Sequence, residues 1–433
     1  MAKESKIPVV KLGSPESERI LKLIKAGREK RSDEVTRAVS EVLENVHRNG
    51  DKSLFDYTLR FDKVKLTPAK VRASSEEIST KAKQASSSLK RAIREAAERI
   101  TAFHKNQGLR SFKIKTGEGV LEQLVKPLAR VGVYIPGGHT VYPSSVLMNV
   151  IPAKLAGVKE IVAVTPPRDE LNPGIAYALQ YLKVEEVYRI GGAQAVAALA
   201  YGTKSIRAVD KIVGPGNSFV ATAKKMVYGT VDIDSVAGPS EVVIVADDSA
   251  NPTLVALDLL AQAEHGSGDE TAVCIVESQR VANKIAKAVQ EQIEKSPVKE
   301  VLNRLPAHAI SIFITSSRKE SMAFSDSIAP EHLQIMTSTA QKDVKLVNNA
   351  SAIFLGMNTP VALGDYFIGT NHVLPTGGAA RFASPLGVES FQKRISVATA
   401  TEKGIGIAAK QVSVFARAEA FVHHAMSAEQ RAR

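Results

Sequence analysis

Residues 131–165 read VGVYIPGGHTVYPSSVLMNVIPAKLAGVKEIVAVT, and this stretch decides the fold. Two short apolar runs rich in β-branched residues, at 131–135 and 161–165, enclose a segment of helical length that begins near Ser144. Strands that alternate with helices in this way form parallel sheets, because a connection between parallel strands has to cross a face of the sheet. The stretch therefore predicts an α/β fold with helices on both faces of a parallel sheet.

The same alternation extends towards the C-terminus. Further strands are predicted at 187–190 and 210–213, with helices from Ile175, after Gly192 and after Gly216. Beyond residue 240 a second series is predicted, with strands at 242–245, 271–276 and 309–315 and helices at 252–264 and 281–293. The chain has 433 residues, more than the roughly 250–300 over which one hydrophobic core keeps growing. We therefore expect two α/β units.

Both ends of the chain are predicted to be helical. Within residues 14–106, Ser32 can cap a helix that starts at Asp33 and reaches about residue 46. Ser74 is predicted to open one long helix that reaches about residue 104. Residues 395–433 are rich in alanine and show no strand that could pair, so we expect a helical arm packed on this subunit or on another.

The distribution of charge argues against a nucleic-acid-binding protein. The net charge is +12, but residues 1–115 hold 27 of the 57 basic and 15 of the 45 acidic residues, so the remainder is balanced. The basic residues near the N-terminus alternate with acids and lack interleaved aromatic residues, which favours a solvated helical surface. Attraction of an anionic substrate or cofactor is a milder alternative. We predict no nucleic-acid partner.

Cysteine content and hydropathy limit the remaining classes. Cys274 is the only cysteine and lies in an apolar run, which predicts a buried, unreactive thiol and excludes a disulfide framework. No apolar run of about 18 residues is present, and the N-terminus lacks the apolar core of a signal peptide. The sequence predicts a cytoplasmic protein with no membrane contact.

Three glycine-rich turns follow predicted strands and precede predicted helices, at residues 134–138, 191–194 and 214–217. Such turns let backbone amides approach a ligand, although each one alone is equally well explained by tight turn geometry. Three in one α/β unit favour a ligand cleft. Residues 404–409 fit the dinucleotide fingerprint as a pattern, but no convincing strand precedes them and too few residues follow for a βαβ unit.

Polar residues form three clusters that are far apart in sequence. The first pairs Gln262 with His265, the second pairs Glu331 with His332, and the third, at residues 364–372, contains Asp365 and His372. Gln262 and His265 share one face of a helix, so both can reach one centre. A polar helix end, a structural ion pair or a hydrogen-bonded loop would explain each cluster alone. Together they predict a metal site or proton-transfer chemistry.

A fourth group, near the C-terminus, contains Glu419, His423 and His424. Adjacent histidines on a helix point about 100° apart, so at most one of them reaches a given site. The i,i+4 spacing makes His423 the surface neighbour of Glu419, and this pair is equally well explained as an exposed ion pair.

The order of these segments resembles the histidinol dehydrogenase family, zinc-dependent enzymes of histidine biosynthesis that oxidise L-histidinol to L-histidine with two NAD. The similarity extends from about residue 30 to the C-terminus. The matching stretches are residues 134–138, 142–149, 191–195, 209–217 and 237–241, together with the polar clusters.

The resemblance implies the site residues. It implies one Zn²⁺ per subunit, held by Gln262, His265, Asp365 and, from the partner subunit, His424. It implies that Glu331 and His332 are the acid–base pair and that Tyr134, Gln194 and Asn217 face NAD. The residues that it places against the substrate are Ser240, Gln262, His265, His332, Asp365, His372, Glu419 and His424.

The chemistry of the family suits these residue types. Imidazole, amide and carboxylate ligands suit zinc, which would chiefly position the substrate. Neutral His332, with an ordinary pKa near 6.5, would take the hydroxyl proton as hydride leaves, and Glu331 would activate the water that hydrates the aldehyde.

The resemblance also implies an architecture of two incomplete Rossmann-like parallel-sheet domains. Residues 1–29 would be an N-terminal extension, residues 30–130 and 237–385 the main domain, and residues 131–236 an inserted NAD-binding domain. Residues 386–433 would be a helical arm exchanged between the subunits of a homodimer with shared active sites.

Two departures from the family pattern keep alternatives open. The family more often has a small residue where His423 stands, so His423 remains a possible ligand in place of His424, and His139 is unexpected after the Gly137-Gly138 turn. A paralogous zinc- and NAD-dependent dehydrogenase acting on another polar alcohol, such as a sulfonated diol, is the alternative enzyme. The presence of both Glu331 and Glu419 favours histidinol.

Overall fold

The computed structural model describes residues 7–29, 33–137, 141–168, 170–265 and 269–432. Within these residues the strands are β1 (Val9–Lys11), β2 (Phe112–Lys115), β3 (Gly119–Pro127), β4 (Arg130–Tyr134), β5 (Glu160–Thr165), β6 (Glu186–Arg189), β7 (Lys211–Val213), β8 (Asp232–Ile233), β9 (Glu241–Ala246), β10 (Thr271–Val276), β11 (Ile310–Ile314), β12 (His332–Met336), β13 (Ala352–Leu355) and β14 (Gln392–Ala400). Ser32, Gly138 and His139, which were named above, lie outside the described residues.

The helices of the described residues alternate with these strands. They are α1 (Pro15–Glu29), α2 (Asp33–Asn49), α3 (Asp51–Asp62), α4 (Pro68–Val71), α5 (Ser75–Gln84), α6 (Ser87–His104), α7 (Pro143–Ala156), α8 (Pro173–Tyr181), α9 (Gly192–Tyr201), α10 (Ser218–Val227), α11 (Pro252–Ala263), α12 (Gln279–Lys295), α13 (Lys299–Asn303), α14 (Arg318–Ile328), α15 (Ala340–Asp343), α16 (Val361–Tyr366), α17 (Glu402–Ala418) and α18 (Val422–Arg431). None of the described helices combines the length and apolar character that a membrane crossing requires.

Two parallel sheets form the centre of the fold. One has five strands in the order β6-β5-β4-β7-β8, and the other has six in the order β1-β11-β10-β9-β12-β13. Every pairing within them is parallel. The predicted parallel α/β fold is therefore confirmed, because each apolar run that the sequence analysis assigned to a strand is a buried strand of one of these sheets.

The N-terminal residues belong to the six-stranded sheet. Strand β1 pairs with β11 so that Val9 lies opposite Ile312, and Ile20 and Ile24 of α1 pack in the core on one face of that sheet. Residues 7–29 are thus part of the sheet's packing, whereas the sequence analysis expected only an extension. A strand of three residues is too short to give a periodic apolar signal.

The prediction that residues 395–433 contain no strand is wrong. Strand β14 pairs antiparallel with β3, from Gln392 opposite Pro127 to Ala400 opposite Gly119, and β2 completes a separate three-stranded sheet. Most of β14 is exposed, so it lacks the alternation of apolar and polar residues that marks a half-buried strand. Helices α17 and α18 follow it, as the helical part of the prediction required.

The long helix predicted from Ser74 to about residue 104 is also wrong, because two helices occupy this range. The Ser74 hydroxyl accepts a hydrogen bond from the Glu77 amide at 3.0 Å and caps α5. The Ser86 hydroxyl accepts from the Leu89 amide at 3.2 Å and caps α6. A second N-cap inside the range ends the first helix.

The helices of residues 33–104 pack on the five-stranded sheet. Val39 of α2 and Leu54 of α3 share a core with Val164 of β5 and Leu199 of α9. This packing differs from the expected grouping of residues 30–130 with the six-stranded sheet. The apolar face of a helix does not specify which of two sheets it will cover, so the sequence could not decide this point.

The candidate site residues lie at opposite ends of the strands in the two sheets. Tyr134 is the last residue of β4, whereas Glu241 and His332 are the first residues of β9 and β12. The chain after α16 connects the units, because the Asn371 side chain donates to the Met148 carbonyl of α7 at 2.8 Å. The carboxyl edge of one sheet and the amino edge of the other therefore hold the candidate site residues.

Candidate active site

Glu331 and His332 form the centre of the candidate site, and we call these two residues the acid–base pair after the role that was predicted for them. Ala329, at φ 49°, ends α14 in the left-handed conformation, and Pro330 then leads into β12 between β9 and β13. Only 7% of Glu331 and 5% of His332 are exposed. His332 Nδ1 lies 4.0 Å from Glu331 Oε2, and His332 Nε2 lies 3.6 Å from Asp365 Oδ1. Two carboxylates thus flank one buried imidazole.

Several buried polar atoms of this site have no hydrogen-bond partner among the described residues. They are Glu331 Oε2, both ring nitrogens of His332 and Nε2 of His372. A buried polar atom without a partner costs about 1–3 kcal/mol, and native structures contain few of them. Their concentration at one place indicates a pocket prepared for a polar ligand.

The environment shifts the pKa of both members of the acid–base pair upwards. Burial raises the pKa of Glu331, against the opposing effects of His332 and of a hydrogen bond from the Ser240 hydroxyl. Burial disfavours the charged form of His332, but the carboxylates of Glu331 and Asp365 outweigh this effect and raise its pKa. The pair therefore binds a proton more tightly than free side chains do, which differs from the ordinary imidazole pKa that we expected for His332.

Gln262 and His265 meet at the C-terminal end of α11. Gln262 is buried in the last turn, His265 is exposed just after it, and the two side chains are in contact at 3.1 Å between Gln262 Nε2 and His265 Nδ1. His265 also acts electrostatically on Glu331, as Asp365 does. The structure thus brings these three predicted metal ligands to the same cleft as the acid–base pair.

The donors of one chain do not complete a metal site. In the described residues no group of three or more His, Cys, Asp or Glu side chains is placed to hold a metal ion. His265, Asp365 and the Gln262 amide supply one imidazole and two oxygen donors, provided that the amide oxygen faces the ion. This set suits zinc in type but needs a fourth ligand for the usual tetrahedral geometry.

The predicted substrate residues fall into two groups. Ser240 lies close enough to Glu331 to lower its pKa, and the half-buried His372 lies close enough to Asp365 and His332 for their charges to act on its pKa. In contrast, Glu419, His423 and His424 are exposed on the helical hairpin α17–α18. The ring centroids of His424 and Phe421 lie 5.2 Å apart there. Among the described residues, no hydrogen bond or ion pair joins these three to the acid–base pair.

The predicted cofactor residues lie at the carboxyl edge of the five-stranded sheet. The Tyr134 hydroxyl accepts a hydrogen bond from the Gly192 amide at 3.0 Å, and burial raises the pKa of Tyr134 to about 12. The Gln194 side chain donates to Asp62 Oδ2 at 3.3 Å. Asn217 is exposed and caps α10 through the Val220 amide at 3.2 Å. We call this region the cofactor cleft.

Sequence reasoning missed two residues beneath the acid–base pair. Glu241 is fully buried, and its Oε1 lies 3.0 Å from Nε of Arg28, which comes from α1. The Gly377 amide donates to Glu241 Oε2 at 3.1 Å. Glu241 could have been noticed in the sequence because it is an acid at the start of the apolar strand EVVIVA. No sequence feature marks Arg28.

Fold and site together define an α/β enzyme in which a buried acid–base pair faces a ligand cleft at the edge of a second parallel sheet. Comparison with known proteins identifies the family. The family model described as histidinol dehydrogenase matches residues 25–432. The chain belongs to the histidinol dehydrogenase family of oxidoreductases, and the predicted resemblance is confirmed.

Individual relatives agree with this assignment over nearly the whole chain. A histidinol dehydrogenase of Bacillus thuringiensis subsp. konkukian is 44% identical over 94% of this chain and 94% of its own length. One from Clostridium acetobutylicum is 40% identical over 98% of both chains. The crystal structure of histidinol dehydrogenase from Elizabethkingia anophelis covers 98% of both chains at 35% identity, with a TM-score of 0.91.

The Arg28–Glu241 contact predicts a pH-dependent loss of stability on substitution. The pKa of Glu241 is raised from 4.5 to about 7 by burial, although Arg28 opposes this rise. The folded protein therefore keeps a proton that the unfolded chain has released, and stability from this group falls as pH rises from about 4.5 to 7. Arg28→Met removes the counter-ion, so the free energy of unfolding should fall by about 3–5 kcal/mol at pH 8 and much less at pH 5.

Urea unfolding at both pH values measures this difference. Arg19→Met is the matched control, because Arg19 lies on the same helix and pairs with Glu16 at the surface, where an ion pair contributes about 0–1 kcal/mol. Equal losses at pH 5 and pH 8 would show that Arg28 stabilises the fold by packing alone.

Proposed function

We propose that this protein is a zinc- and NAD-dependent dehydrogenase that oxidises L-histidinol to L-histidine through L-histidinal, with two NAD per substrate. The observation that supports this most directly is the buried acid–base pair with its unpartnered polar atoms beside Gln262, His265 and Asp365. The relatives named histidinol dehydrogenase support the choice of substrate. A cytoplasmic location remains a prediction.

The residues of the chain would divide the work between binding and proton transfer. Zinc would be held by Gln262, His265, Asp365 and the partner subunit's His424, and when bound it supplies positive charge that anchors the amine and imidazole nitrogens of the substrate. NAD, bound against Tyr134, Gln194 and Asn217, supplies the hydride acceptor for each of the two oxidations.

The proton transfers would fall to the acid–base pair. In the first oxidation, a ring nitrogen of His332 takes the hydroxyl proton of the alcohol as hydride leaves its carbon, which gives the aldehyde. In the second, Glu331 takes a proton from the water that adds to the aldehyde, and loss of hydride from the resulting hydrate gives the acid. Ser240 holds the Glu331 carboxylate through its hydroxyl. Burial of the pair keeps bulk water from the aldehyde between the two steps.

The C-terminal hairpin supports a homodimer with shared active sites. Helices α17 and α18 pack mainly on each other, and they leave large apolar side chains exposed, among them Val414 at 63% and Phe415 at 73%. Apolar surface of this kind marks an interaction site. A hairpin that packs on a second copy would cover this surface and would place Glu419 and His424 at the neighbouring active site, where the fourth zinc ligand is needed.

The stoichiometry of NADH formation tests the reaction. Purified protein should form two NADH per L-histidinol consumed, lose this activity on chelation and regain it with zinc. If folded, zinc-loaded protein gives no turnover, the alternative of a paralogous dehydrogenase for another polar alcohol, such as a sulfonated diol, becomes the better interpretation.

Complementation between two inactive variants tests the exchanged arm. His265→Ala disables the active site of the subunit that carries it. His424→Ala disables the active site to which the C-terminal arm of the altered subunit contributes. If the arm serves the partner, a mixed dimer has one intact site, and random assembly should restore about a quarter of the wild-type activity. If each arm completed the active site of its own subunit, the mixture would stay inactive. The pair His265→Ala and His423→Ala is the matched control that tests His423 as the ligand.

Separate assays of the two oxidations test the role of Glu331. Glu331→Gln keeps the size of the side chain but removes the base, so oxidation of L-histidinal should fall by about 100-fold or more. Oxidation of the alcohol should fall by less than about tenfold, because His332 retains its place. Losses of equal size in the two assays would remove the assignment of Glu331 to the aldehyde step.

A further inference from the structure

Asp62 lies at the cofactor cleft although no motif indicated it. It is the last residue of α3, its side chain is half-buried, and its Oδ2 accepts a hydrogen bond from Gln194 Nε2 at 3.3 Å. Gln194 itself is only 1% exposed. The charge of Asp62 also acts on the Tyr134 phenol, so two of the three predicted NAD-facing side chains at this edge interact with one carboxylate.

The contact with Asp62 fixes the orientation of the Gln194 amide. An ionised carboxylate only accepts hydrogen bonds, so the amide must present its nitrogen to Asp62 and turn its oxygen away. Gln194 Oε1 is buried and has no hydrogen-bond partner among the described residues. A buried acceptor without a partner favours the binding of an N–H or O–H donor. The hydrogen bond that then forms removes the free-energy cost of burying the acceptor unpaired.

The neighbouring groups indicate what kind of ligand group would fit there. The amide of Gly192, at the start of the ten-residue helix α9, already donates to the Tyr134 hydroxyl and is therefore not free for a phosphate. The Tyr134 hydroxyl, which accepts that bond, keeps its own proton to donate. Asp62 adds a negative charge that repels phosphate groups. The cluster therefore suits an uncharged group with N–H or O–H donors, such as a ribose or the carboxamide of the nicotinamide.

We propose that Asp62 is a positioning residue of the cofactor cleft, which holds the Gln194 amide so that Oε1 accepts a hydrogen bond from an uncharged donor group of NAD. This inference rests on the proposed function, since it requires that NAD binds here. Asp62 acts through Gln194 and need not touch the cofactor.

Substitution at Asp62 tests the inference through a split between kinetic constants. Asp62→Asn keeps the shape of the side chain but lets the facing amide rotate, because an asparagine both donates and accepts. The KM for NAD should rise by about tenfold, the effect of one hydrogen bond. The KM for L-histidinol and the melting temperature should stay unchanged, and Asp62→Glu, which restores an acceptor-only group, should recover part of the loss. Asp56→Asn is the matched control, because Asp56 lies on the same helix and is exposed.

A double-mutant cycle distinguishes action through Gln194 from a separate effect. In a Gln194→Ala background, Asp62→Asn should change the Kd for NAD, measured by calorimetry, by less than about twofold. An unchanged KM for NAD in Asp62→Asn, or the same tenfold loss in both backgrounds, would overturn the inference. Should Asp62→Asn fold poorly, Asp62→Ser serves the same measurements. Wild-type protein is titrated in parallel, and if it binds no NAD the proposed function fails, whereas failure confined to the variants concerns Asp62 alone.

Discussion

The burial of Glu241 is the constraint on which the active site depends. A carboxylate with no access to solvent has to be paired or hydrogen-bonded, and Glu241 receives Arg28 from one side and the amide of Gly377 from the other. These contacts join the first helix, the chain after α16 and the start of β9 at one point. Strand β12, which Glu331 precedes, pairs with β9, so the contacts of Glu241 fix the strand next to Glu331 and His332.

The two sheets contribute opposite edges, and the electrostatics of each edge suit a different ligand. At the carboxyl edge of the five-stranded sheet α10 begins after Asn217, and a helix N-terminus favours anionic or hydrogen-bond-accepting groups. At the amino edge of the six-stranded sheet, α11 ends beside Gln262 and His265. The C-terminal end of a helix carries a partial negative charge and favours a cation. The two edges thus carry helix ends of opposite partial charge.

Much of the fold could be predicted from sequence because buried parallel strands are continuous apolar runs, as at 131–135 and 271–276. The candidate side chains could also be selected from the sequence, because imidazoles beside carboxylates or amides, as at Glu331 and His332, have few structural reasons to occur. Strand β14 escaped prediction because it is largely exposed and pairs with residues about 270 positions earlier in the chain. Arg28 and Asp62 escaped because each stands in a helix of mixed charge and acts on a partner more than 100 residues away.

Unsatisfied buried polar atoms occur both at the candidate site and in the cavity next to the cofactor cleft. A small cavity lined by Gly137, Arg168 and Arg189 lies next to the cofactor cleft, but Arg168 donates to the Gly137 carbonyl and Arg189 to Glu77 and the Lys70 carbonyl. Arg168 donates through Nε and one terminal nitrogen, whereas Arg189 donates through both terminal nitrogens and its buried Nε has no partner among the described residues. In the acid–base pair and at Gln194, buried acceptors and ring nitrogens lack partners. An unmet hydrogen bond lowers stability, and a ligand that completes it would explain its retention at these positions.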